Sequence, residues 1–137
     1  MKINEQVKKL MKSMDFNSPA SEKGINDVEL EMGINFPDQY KEFMMESNGA
    51  EGSIGENSYL AIWSVEEIVP LNKDAKVEEF TPGLVFFASD GGGMAYAFDK
   101  RDENVPIVEI PDDSIHIEDA KLIGKTFNDF LQNLYNV

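Results

Sequence analysis

The hydrophobic period of this chain changes twice, and that change limits its fold more than any single motif. Apolar residues recur at helical spacing through about residue 48, shift to short β-like runs between 59 and 118, and return to helical spacing at the end. Helices, then strands on short links, then a helix, favour antiparallel pairing and the α+β class. The expected architecture is a mainly antiparallel, twisted sheet of about five to six strands. N-terminal helices and a C-terminal helix pack on it.

Ile3, Val7, Leu10, Met11 and Met14 share one face and predict a helix over 3–14, followed by a turn-rich connection at 15–24. Asn26 and Glu29 suggest a capping box for a second helix, stapled by Ile25 and Leu30 and closed at Gly33. A third helix starts near Pro37, carries Phe36, Tyr40, Phe43 and Met44 inward, and ends at Asn48-Gly49. Strands are expected at 59–63, 84–88, 94–99 and 106–110, with a short one at 114–118. Ser64 and Glu67 frame a capping box for one turn of helix. Thr126 and Asp129 cap a final helix whose inner face is Phe127, Phe130, Leu131, Leu134 and Tyr135.

The length of 137 residues suits one domain, 1–137, with no linker to divide it. There are 26 acidic and 12 basic residues, a net charge of −14. Such a surface repels nucleic acid and anionic lipid and attracts a basic partner. Acidity also serves plain solubility. The chain has no cysteine, which excludes disulfides and thiolate chemistry and agrees with a reducing compartment. Charges scattered through MKINEQVKKLMKSM do not make a secretory signal, and no apolar run is long enough for a bilayer, so a cytoplasmic protein is expected.

The residues supply little catalytic chemistry. His116 is the only histidine, so a zinc site lacks its further ligands, and a serine triad, which would have to use His116, lacks a G-x-S-x-G elbow. Gly91-Gly92-Gly93 lacks the lysine and the following helix of a phosphate loop, and Asp90 beside it has the wrong charge. The acidic run at 99–104 fails as a calcium loop because Arg101 occupies a ligand position. Paired carboxylates for hydrolysis have no specific support. No metal, cofactor or catalytic residue is therefore expected. Trp63 sits between a strand and a helix cap, a border position that suits either a core side chain or a binding anchor.

FPDQYKEFMMESNG (36–49), WSVEEIVPLN (63–72) and LVFFASDGGGMAYAFD (84–99), followed by FNDFLQNL near the end, stand in one order along the chain. Together these three segments resemble the SUKH superfamily, which includes the yeast Smi/Knr cell-wall regulator and many bacterial immunity proteins, and FNDFLQNL resembles its closing helix. Ala88-Ser89 stands where the family often has glycine, and Phe36 where leucine is commoner. The resemblance implies a non-catalytic domain that binds and neutralises a cognate toxin, often a nuclease of a polymorphic or contact-dependent system. A nuclease carries a basic cleft, to which an acidic inhibitor is steered. The expected contact residues are the loop from Glu51 through Gly52 to Glu56, then Trp63, then the turn Asp90, Gly91, Gly92 and Gly93. Trp63 is the anchor and Glu51, Glu56 and Asp90 the charges; the same residues also suit turns and core. The expected partner is a basic toxin, without direct nucleic-acid or membrane binding, and the protein is a monomer or homodimer. The alternatives are a regulatory or scaffolding domain like the Smi/Knr regulators, and a small carboxylate hydrolase.

Overall fold

The computed structural model describes residues 5–113 and 115–137. The expected helix start at Ile3 and strand start at Ser114 lie outside them. The N-terminal half contains α1 (Glu5–Leu10), β1 (Met14–Phe16), α2 (Glu22–Met32), α3 (Asp38–Met44), β2 (Ala50–Ile54) and β3 (Ser58–Ile62). Then come α4 (Val65–Asp74), α5 (Val77–Phe80), β4 (Leu84–Ser89), β5 (Met94–Asp99) and β6 (Ile107–Pro111). A 3₁₀ turn (Ile117–Asp119), β7 (Lys121–Gly124) and α6 (Phe127–Tyr135) complete the chain. The protein is α+β, and the seven strands among the described residues lie in sequence order with every neighbouring pair antiparallel.

Seven strands exceed the five to six expected because three lie in segments whose sequence suggests something else. Met14 is buried with Val7, Leu10 and Met11, as the helical period requires, but it does so from β1. Its N–H donates to Met11 O at 3.0 Å, closing the turn that ends the first helix early. β2 occupies the expected loop, and β7 follows the 3₁₀ turn that replaces the strand expected at 114–118. Helix boundaries shift too. Ser21, not Asn26, caps α2 by accepting from Gly24 N at 2.9 Å. Glu29 instead accepts Phe36 N at 2.8 Å, and Leu30, the expected staple, is 83% exposed. The Ser64–Glu67 capping box is present, but α4 runs ten residues, through Pro70. Burial of Ile68 and Asn72 on its inner side outweighs the backbone bond that proline forfeits.

Side-chain alternation divides the sheet into two faces. Val85, Phe87, Tyr96 and Phe98 join a large core with α1, α2, α3 and α6. Tyr40 lies in its centre, with the rings of Phe36, Phe87, Phe98 and Phe127 at 4.9–5.6 Å. The opposite side chains of β4–β6, including Phe86, Ala97 and Ile110, form a smaller core with Val77 of α5, Trp63 and Ile117. A register shift between Phe86 and Ala88 lets Phe87 and Ala88 both enter the large core.

The two layers are joined where β3 and β4 separate. These strands pair at Ala61–Ser89 and Ile62–Ala88, and one more backbone bond, from Trp63 N to Phe87 O at 3.0 Å, ends their contact. Beyond that point Asn72 of α4 replaces the missing strand. Its amide donates to Phe86 O at 2.9 Å and accepts from Phe86 N at 2.9 Å, while donating to Ile68 O at 2.7 Å. The helix so held leads into α5, which covers the β4–β6 side of the second face. The β1–β3 side of that face is left bare, with Asp15, Glu51, Ser53 and Tyr59 exposed.

Candidate partner-binding face

The bare face of β1–β3 is concave, with a volume of about 740 Å³. Register places its side chains. Asp15 lies opposite Glu51, Glu51 opposite Ala61, and Ser53 opposite Tyr59. Antiparallel partners project to the same side, so two carboxylates stand next to each other across β1 and β2. Tyr59 lies diagonal to Glu51, and its hydroxyl donates to that carboxylate. The bond to Glu51 raises the Tyr59 pKa, with burial and the charges of Glu51 and Asp15 acting in the same direction. Trp63 and Glu67 close one end. Glu67 is occupied by its capping box, accepting from Ser64 N at 3.0 Å. Among the described residues the lining includes three carboxylates, Asp15, Glu51 and Glu67, and neither lysine nor arginine.

The residues expected from sequence divide into three groups. Glu51, Gly52 and Trp63 line this concavity together. Glu51 and Gly52 do so from a strand rather than a loop. Gly52 serves the fold as well, since a Cβ there would lie 2.8 Å from Met14 Cα, so its absence lets β1 approach β2. Trp63 is half-buried against the smaller core and also lines the open face.

The Asp90–Gly93 turn borders the site without entering it. Gly91 lies against the Tyr59 ring, where a Cβ would sit 3.5 Å away. Asp90 turns inward on its own hairpin, one carboxylate oxygen accepting from Gly92 N at 2.8 Å and Met94 N at 2.9 Å. Gly91 and Gly93 adopt positive φ, 74° and 116°, which the turn requires. Gly92 and Gly93 are exposed at its tip. Glu56 stands apart, in the β2–β3 turn, where it lines a separate hollow with Lys12, Tyr135 and Val137.

Sequence reasoning misses Asp15, Ser53 and Tyr59. A three-residue strand leaves no periodic signal, so nothing marks Asp15. For β2 and β3 a signal exists: Ala50 and Ile54 alternate toward Gly55-Glu56-Asn57, and Leu60 and Ile62 alternate away from it.

A family model described as SMI1 / KNR4 family (SUKH-1) matches residues 19–133. The chain belongs to the SMI1/KNR4 family (SUKH-1). It is also 36% identical over 86 residues to "Uncharacterized protein YnaB" of Bacillus subtilis (strain 168), an overlap of 63% of this chain and 50% of that protein. The chain thus spans half the length of this curated relative.

Within the SUKH-1 chain, the residues that carry the resemblance have structural work. Asn48 accepts from Val65 N at 2.8 Å and donates to Glu66 at 2.7 Å, tying the end of the α3 segment to the start of α4. Tyr40 fills the aromatic centre, Asn72 braces β4, and Asp90 fixes the hairpin. Asp15 lies before the matched segment, whereas Glu51, Tyr59 and Trp63 lie within it. No helix among the described residues is long and apolar enough to cross a membrane.

Proposed function

We propose that this SUKH-1 protein is a non-catalytic immunity protein, which binds and neutralises a basic bacterial toxin on the bare face of β1–β3. The toxin class that fits is a nuclease of a polymorphic or contact-dependent system. The observation carrying this reading is the cross-strand pair Asp15–Glu51 beside Trp63, in a concavity that no described lysine or arginine lines. Like charges placed opposite each other cost stability. A protein that keeps such a pair on a bare, concave surface gains from it when a cation arrives. The net charge of −14 gives the long-range counterpart, steering a basic partner into contact.

The second reading, a regulatory or scaffolding domain, rests on family membership, since the family takes its name from the SMI1/KNR4 group. Affinity capture from the source cells at low and high salt, with identification of the bound proteins, separates the two. The immunity reading expects one basic, toxic protein, weakened by salt, whose toxicity co-expression of this chain suppresses. A specific partner whose expression harms no cell would overturn it in favour of the scaffold.

A further inference from the structure

We infer that the partner reaches the bare face with an arginine, whose guanidinium enters between Asp15 and Glu51 and is flanked by the rings of Tyr59 and Trp63. The inference rests on the docking reading above and names the group that docks. Three features of the face select guanidinium over ammonium. First, the acceptors are two carboxylates on adjacent strands, directly opposite in register. The Cβ atoms of such pairs are about 4.5–5.5 Å apart. A planar fork with five donors bridges two such acceptors, whereas an ammonium is a point charge on a strongly hydrated tip. Second, the Tyr59 hydroxyl bonds Glu51, so one acceptor is oriented before the partner arrives. Third, two aromatic side chains, Tyr59 and Trp63, line the same hollow. Arginine stacks on aromatic faces and sheds its water at lower cost than lysine. Among the described residues no lysine or arginine of the chain itself lines the hollow, so none competes from within.

Trp63 is the only tryptophan, so its emission reports from within the site. The probes are acetylated, amidated tetra-arginine and tetra-lysine peptides, equal in charge, titrated at low salt with amide chemical shifts recorded in parallel. The arginine peptide is expected to shift Trp63 emission and to bind at least about threefold more tightly than the lysine peptide. D15N/E51Q abolishes that preference. E56Q/D119N removes the same number of charges elsewhere and preserves it. Equal affinity for the two peptides, no binding at millimolar concentration, or equal loss in both double variants would overturn the inference. If the native partner is still captured by wild type and lost by D15N/E51Q, the docking reading survives that failure. If D15N/E51Q captures the partner as wild type does, the docking reading falls as well.

Discussion

Replacing Asn72 with alanine tests the joint on which the two-layer arrangement depends. Asn72 is 4% exposed and supplies both a donor and an acceptor to the backbone of Phe86, itself 2% exposed. Alanine leaves that N–H and C=O buried without these partners. Each such group costs about 1–3 kcal/mol, so the pair predicts a loss of about 2–6 kcal/mol. Against a total stability of about 5–15 kcal/mol, that removes a large fraction. Leucine restores volume but no hydrogen bond and recovers little. Aspartate keeps the acceptor for Phe86 N but places an oxygen opposite Phe86 O. Burial raises the pKa of that new carboxyl in the folded state, so N72D gains stability as pH falls through the raised value. Urea unfolding with intrinsic fluorescence measures all three, and the slope shows whether the unfolded state changed. An N72A loss below about 1 kcal/mol at unchanged slope would refute the claim that Asn72 completes β4.

Three other perturbations bear on separate parts of the molecule. Tyr40 carries a fully buried hydroxyl with no hydrogen-bond partner among the described residues, so Y40F should leave stability unchanged or raise it by about 1 kcal/mol in thermal unfolding. D15N should raise stability by a few tenths of a kcal/mol, roughly the cost of a cross-strand like-charge pair, while weakening partner binding; a destabilised D15N contradicts the opposed-charge argument. The Arg101 guanidinium, at 2.9 Å, holds the Asp99 carboxyl below its usual value of 3.8. A depressed folded pKa stabilises above the unfolded value, and that stabilisation is lost as pH falls through the folded one. The stability gap between wild type and D99N should therefore close on acidification below about pH 4, and a gap that widens refutes the pairing.

The fold is legible in the sequence wherever burial imposes a period over several residues. Phe127, Phe130, Leu131 and Leu134 all enter the large core from α6, and Thr126 accepts from Asp129 N at 3.1 Å, as the pattern requires, whereas Tyr135, expected on the same face, is 39% exposed in the last turn. The alternation of Tyr96 and Phe98 against Ala95 and Ala97 matches the division between the two cores. Legibility fails where length or context decides. β1 is too short to show a period, and the α2 cap falls to Ser21 over Asn26, a residue of equal capping preference. The helix expected as a single turn runs on through Pro70, because Asn72 beyond it holds β4. The site is half legible. Glu51, Gly52 and Trp63 stand out by type and position, but Asp15 and Tyr59 join them only through register. Asp90, chosen for its charge, has one carboxylate oxygen tied into its own turn.

On the proposed function, the bare acidic face of β1–β3 holds the partner. The most direct measurement is the affinity of the captured partner for wild type, D15N/E51Q and E56Q/D119N across a salt series. D15N/E51Q is expected to weaken binding at least about tenfold and to flatten its salt dependence, while E56Q/D119N stays near wild type. Equal affinities for all three at every salt concentration would contradict it.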